Sequence, residues 1–161
     1  MIFKILIVMC LQFDIILYLC NINSGIYTIC AIYDFLTIMG YEKTIMIVDD
    51  KPIIAKMLMM NLKDYKCIYH SNPLKCIRWM QENGLPSLII TDLRMPSMSG
   101  RRFLQFLKEN EKYKQIPVLV LSSEDNADEK RELFELGAIG YIVKPFNPHD
   151  VKSRVMNVLG F

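Results

Sequence analysis

Five side chains able to handle charge and phosphate stand at the ends of apolar runs. Asp49 and Asp50 follow "TIMIV" (44–48), Asp92 follows "SLIIT" (87–91), Ser122 closes "IPVLVLS" (116–122), and Lys144 follows "GYIV" (140–143). Three carboxylates gathered together repel, by about 4 kcal/mol per pair at roughly 4 Å and an effective dielectric near 20. A cation would offset that cost. Oxygen ligands of this kind suit Mg²⁺, which keeps several waters and takes one or two carboxylates plus phosphate oxygens. Lys144 adds a positive point donor and Ser122 a hydroxyl. Such a set could hold a phosphoryl group on a carboxylate oxygen, with its charge neutralised by Mg²⁺, the ammonium and the hydroxyl.

These residues share a site only if the apolar runs are strands of one sheet. Between the runs, and "KCIYH" (66–70), lie segments with helical signals. Ile54, Met57, Leu58 and Leu62 fall at helical spacing after Pro52, which suits a first helical position. Pro73 opens a second segment, with Leu74, Ile77 and Met80 on one face and Gly84 near its end. Phe103, Leu104 and Leu107 mark a third, and a charged stretch over about 125–136 with Gly137 as cap marks a fourth. Asn147 and Pro148 start the last, with Val151, Val155 and Leu159 inside. Near-continuous apolar strands alternating with helices predict an α/β three-layer sandwich: a five-stranded parallel sheet, doubly wound, with helices on both faces. In such folds ligands bind beyond the carboxyl ends of the strands. That puts Asp49, Asp50, Asp92, Ser122 and Lys144 on one rim.

Taken singly, each residue has an ordinary explanation. An Asp pair before a helix serves as a cap. An Asp before the Pro- and Gly-containing loop "LRMPSMSG" serves as a turn residue. A serine at a strand end says little, and Lys-Pro after a strand reads as a turn. The specificity lies in four strand ends carrying the required groups in one chain.

Composition sets the outer bounds. The chain has 161 residues, 52% hydrophobic and 22% charged, which suits a globular domain and excludes disorder. A net charge of +2 gives no basic stripe for nucleic acid. Cysteines at 10, 20, 30, 67 and 76 form no C-x-x-C pair and read as reduced thiols. Residues 1–38 differ from the rest: strongly apolar, with one base (Lys4) and two acids (Asp14, Asp34). The block 5–22 is about long enough to span a bilayer. Asp14 lies at its middle, where an acid costs about 2.5–3.5 kcal/mol on the insertion scale. This hydrophobic extension reads as a weak anchor, as a segment packed on the domain, or as read-through from upstream of Met39.

The stretches "IMIVDD", "IITDLRMPSMSG", "VLVLSS", "ELGAIGYIVKPF" and the final amphipathic helix carry a resemblance. From about residue 43 to 161 the chain resembles the response regulator receiver domain, the phosphoacceptor part of two-component signalling, of flavodoxin-like fold. The resemblance implies that Asp92 is the phosphorylated residue. Asp49, Asp50, Asp92 and the backbone carbonyl of Arg94 would hold Mg²⁺, with Asp49 acting through water. Ser122 would be the switch hydroxyl, Tyr141 the switch aromatic, and Lys144 the contact to the phosphoryl group, with a cis Lys144–Pro145 peptide. The phosphodonor would be a sensor histidine kinase or a phosphotransfer protein, in the cytoplasm. Two positions depart from the family's usual pattern: Ser123, often smaller, and Ile139, often an acid.

The last helix reaches Phe161, so no output module is expected after it, and no direct contact with nucleic acid. Signalling by docking to a target protein and onward relay of the phosphoryl group both stay open. Beyond its own Mg²⁺-dependent phosphorylation and dephosphorylation, no enzyme activity is expected. Other classes fit less well. A haloacid-dehalogenase-type phosphatase wants an acid two residues after its nucleophile, where Lys51 follows Asp49. A flavodoxin-type binder needs a Ser/Thr/Gly loop after strand one, unlike "DDKPII". A phosphorylation-independent interaction domain is the remaining alternative.

Overall fold

The computed structural model describes residues 43–160, so the readings made for residues 1–38, and for Cys10, Cys20 and Cys30, lie outside the described residues. Five strands alternate with five helices. They are β1 (Thr44–Val48), α1 (Pro52–Asn61), β2 (Lys66–His70), α2 (Pro73–Asn83), β3 (Leu88–Asp92), α3 (Gly100–Glu109), β4 (Val118–Ser122), α4 (Ala127–Glu135), β5 (Gly140–Val143) and α5 (Pro148–Leu159). The strands form one parallel sheet in the order β2-β1-β3-β4-β5. This is the expected doubly wound architecture. The chain leaves β1 first to one side and then to the other, which opens a crevice at the carboxyl ends of β1 and β3.

Alternation along each strand feeds two cores. Met46, Val48, Ile89, Val118, Val120 and Tyr141 face one side with Met80, Phe103, Leu104, Leu107 and Leu133 from α2, α3 and α4. Ile45, Ile47, Leu88, Ile90, Leu119, Leu121 and Ile142 face the other with Ala55, Leu58, Val151 and Val155 from α1 and α5. Burial on both faces is why these strands are apolar throughout rather than alternating.

Local chemistry sets the element ends. Pro52, Pro73 and Pro148 open α1, α2 and α5, where a missing N–H costs nothing. The side chains of Asn72, Ser99, Asn126 and Asn147 accept backbone N–H groups at the starts of α2, α3, α4 and α5. Helix α4 stops at Gly137, whose φ is 96°. The N–H of Gly137 donates to Phe134 O, and that of Ala138 to Leu133 O, the paired bonds of a Schellman motif.

Three expectations shift. Leu74 does not join the inner face of α2; it is 55% exposed. The buried positions are Pro73, Cys76 and Met80, with Ile77 partly covered. Positions 73, 76, 77 and 80 follow the i, i+3, i+4, i+7 rule, and Leu74 lies one residue round the helix from them. Strand β4 starts at Val118 rather than 116, since Pro117 has no N–H for the ladder, although its carbonyl accepts from Ile89. Strand β3 runs one residue further than expected and includes Asp92.

Among the described residues Cys67 and Cys76 are free thiols. Burial pushes them up to about 11 and about 12, which leaves both protonated and unreactive. No helix among the described residues is long and apolar enough to cross a membrane.

Candidate functional site

The crevice gathers the acids. Asp49 follows β1 directly and is 0% exposed; Asp92 ends β3 and is 2% exposed. One carboxylate oxygen each from Asp49, Asp50 and Asp92 lies within 4.8 Å of the others. From the end of β5, Lys144 Nζ donates to Asp49 Oδ2 at 2.8 Å and to Asp92 Oδ1 at 2.6 Å. Burial works to lower the lysine, but the two carboxylates outweigh it and hold Lys144 above its ordinary value, as an ammonium. Burial pushes Asp49 up, opposed by Lys144 and by the Lys51 N–H. The single ammonium thus holds together carboxylates that would otherwise repel one another.

The helix-cap explanation for Asp49 fails. Asp49 Oδ1 accepts the Lys51 N–H at 2.8 Å, yet the cap position of α1 is Lys51 itself, with no side-chain cap. The turn explanation for Asp92 holds in part: its Oδ2 accepts the Arg94 N–H at 3.2 Å, which lays the Arg94 peptide against the acidic cluster. The loop "LRMPSMSG" then closes tightly on the strand it left. Gly100 N–H donates to Leu93 O at 2.9 Å, and a Cβ on Gly100 would lie 2.1 Å from Asp92 O and 2.9 Å from Leu93 Cα. Both obstacles are backbone and cannot rotate aside. Gly100→Ala should therefore destabilise the fold by about 1–3 kcal/mol, the usual range for overpacking. A urea-unfolding midpoint equal to wild type would contradict this contact.

A polar network joins the other side of the rim. Ser122, the last residue of β4, is fully buried and accepts the Glu124 N–H at 3.1 Å. Its hydroxyl donates to Glu129 Oε2 on α4 at 3.5 Å. Tyr141 is 5% exposed, with its ring in the core. Its hydroxyl donates to Glu124 O and lies 3.3 Å from Glu129 Oε2. Arg94 Nη2 spans Glu124 Oε1 at 3.1 Å and Glu129 Oε1 at 3.0 Å. Burial raises Tyr141, a hydrogen bond with Ser122 opposes this, and the Glu129 charge adds to the rise.

The candidate residues read from the sequence thus lie at the carboxyl end of the sheet or in the loop leaving it, except Tyr141, which is the second residue of β5 and reaches the rim network through its hydroxyl. The Lys144–Pro145 peptide is cis. Ser123 is exposed, as is Ile139. Glu124 and Glu129 were not singled out from sequence. Their one signal is position, since both follow Ser122 closely; within "SEDNADEKRE" nothing distinguishes them from other acids. Tyr69 was also missed. It is the next-to-last residue of β2, beside the crevice, where burial and then the charges of Asp49 and Asp50 push its phenol up.

The acids fit a hard divalent cation. All donors are oxygens, and buried Asp50 Oδ1 has no hydrogen-bond partner. A buried carboxylate oxygen left without a donor is costly, and a cation would satisfy it.

Comparison with known proteins gives one family. Residues 45–156 match the family model described as "Response regulator receiver domain". Over 119 residues, 73% of the chain, it is 38% identical to Histidine kinase P4 of Formosa agariphila, of which it spans 9%. It spans about half the length of the next curated relatives it matches. Among solved structures, the chemotaxis protein CheY4 of Vibrio cholerae superposes with a TM-score of 0.67 at 30% identity, over 73% of this chain and 99% of that one. The manganese-bound form of response regulator Rcp1 superposes with a TM-score of 0.62 at 30% identity, over 74% of this chain and 93% of that one.

Proposed function

The chain belongs to the response regulator receiver family of two-component signalling, and from that premise we propose that Asp92 accepts a phosphoryl group from a phosphohistidine. The observation that carries this reading is the buried contact of Lys144 with both Asp49 and Asp92 at the carboxyl rim. In the transfer, an Asp92 carboxylate oxygen bonds to phosphorus while the donor's N–P bond breaks and its electron pair leaves with the imidazole. Lys144 neutralises charge on the incoming group, and the Ser122 hydroxyl donates to it.

Mg²⁺ would be held by Asp49, Asp50, Asp92 and the Arg94 carbonyl, with Asp49 acting through water; bound there, it would supply charge neutralisation to the phosphoryl oxygens. The orphaned Asp50 Oδ1 supports this assignment, as does manganese in Rcp1. The chemistry is formation of the aspartyl phosphate and its loss by hydrolysis or by onward transfer. The donor is a sensor histidine kinase or a phosphotransfer protein in the cytoplasm. The output is docking to a protein target or onward relay, without direct contact to nucleic acid. Ser122 and Tyr141 form the switch.

Residues 43–161 are the receiver unit on this reading, supported by their compactness and by the family match inside them. The test is transfer from a radiolabelled phosphohistidine protein to the full chain. Label should leave the donor and appear on this chain when Mg²⁺ is present, and a chain starting at Met39 should be labelled equally. No transfer from any phosphohistidine donor tried, with Mg²⁺ present, would overturn the reading.

A further inference from the structure

We infer that Glu129 is a positioning residue that competes with the phosphoryl group for the Ser122 hydroxyl. The inference rests on the receiver reading and adds to it a residue of α4. A carboxylate only accepts hydrogen bonds, and so does a phosphoryl group. A serine hydroxyl has one proton to donate. Ser122 Oγ already accepts the Glu124 N–H, and its proton is given toward Glu129 Oε2 at 3.5 Å. That proton cannot serve Glu129 and a phosphoryl group at once.

The placement of Glu129 is fixed from several directions. Asn126 caps α4 by accepting the Glu129 N–H at 3.0 Å, which sets the backbone. Arg94 grips Oε1 at 3.0 Å from the loop after Asp92, leaving Oε2 to face both Ser122 and the Tyr141 hydroxyl at 3.3 Å. The Glu129 side chain is only 19% exposed, so water screens these contacts poorly. Glu129 therefore joins the loop after β3, the end of β4, and β5. When a phosphoryl group takes the Ser122 proton, Glu129 keeps Arg94 and loses Ser122.

The long Ser122–Glu129 bond suits a competitor, since a tighter one would hold the hydroxyl against any rival. Glu129→Ala removes the acceptor with a good helix former. Glu129→Gln keeps an acceptor oxygen without the charge, which roughly halves the strength of such a bond.

The probe is beryllium fluoride with Mg²⁺, titrated into the full chain and followed by amide NMR. Glu129→Ala should tighten its binding about threefold to tenfold, the scale of one ordinary hydrogen bond, since the Ser122–Glu129 contact is long. Glu129→Gln should fall between Glu129→Ala and wild type. In a Ser122→Ala background, Glu129→Ala should change nothing. That background separates competition for the hydroxyl from simple repulsion between Glu129 and an anion, because repulsion would persist without Ser122. Structural damage to α4 would weaken binding rather than tighten it. Equal or weaker binding by Glu129→Ala in a chain that otherwise binds the probe overturns the role of Glu129 alone. Tightening that survives in Ser122→Ala also overturns it. Failure of wild type and every variant to bind overturns the receiver reading, and this inference with it.

Discussion

Asp92→Asn should leave the full chain unable to gain a phosphoryl group from a small acyl phosphate, where wild type gains one by intact mass. The substitution changes one oxygen to an amide in a site where the carboxylate is almost wholly buried. The amide is not a nucleophile and lacks the charge that Lys144 pairs with at 2.6 Å. Asp49 and Asp50 remain nearby, but Asp49 Oδ1 is held by the Lys51 N–H and Oδ2 by Lys144. Wild type without Mg²⁺ should also fail. An incoming phosphate adds negative charge to three clustered carboxylates, and one ammonium cannot offset all of it. Equal mass gain in wild type and Asp92→Asn would move the acceptor elsewhere. Undiminished gain in a metal chelator would remove the cation from the mechanism.

The chemistry of the rim was legible in the sequence because each group sits at a strand end. Strands buried on both faces read as unbroken apolar runs, and the first polar residue after each run marks the carboxyl edge. The apolar runs alone therefore place Asp49, Ser122 and Lys144 at that edge. Asp92 was placed one residue outside its strand, since nothing in "SLIITDL" shows that the ladder continues to Leu121. Pro117 misled in the opposite direction: apolar composition ran past the point where hydrogen bonding could begin.

The side of the rim built from α4 was not legible. Helix α4 buries only Leu133, so its sequence is mostly charge with a weak pattern. Asp128, Glu129, Glu132 and Glu135 look alike on paper. Only the fold shows that Asn126 starts the helix where Glu129 turns toward Ser122 while Asp128 pairs outward with Arg131. Leu74 failed for a related reason. A leucine, an isoleucine and a methionine spaced by three imitate a helical face, yet a true face follows 3.6 residues, and Pro73 and Cys76 complete it.

Lys144→Met should show how far the fold depends on this one ammonium. Methionine fits the volume of the lysine stem and removes only the charge and its donors. Lys144 Nζ is the hydrogen-bonded partner of both Asp49 Oδ2 and Asp92 Oδ1. Its side chain is 13% exposed and theirs 0% and 3%, so little water can replace it. Breaking a buried pair from one side leaves the other charge uncompensated and costs about 3–5 kcal/mol. Urea unfolding in a chelator should show a loss of that size. On the proposed reading the folded site would bind Mg²⁺ and the unfolded chain would not, so adding it should return part of the loss. Acid should do the same through a different route. Burial already raises Asp49, and losing the ammonium raises it further. A carboxyl raised in the folded state favours folding most when protonated and loses that contribution as pH rises through its folded value. The gap between Lys144→Met and wild type should therefore close as pH falls and widen toward neutrality. Equal stability of the two proteins at neutral pH in a chelator would mean that the carboxylates find their compensation elsewhere, and the contacts of Lys144 would then carry no structural weight.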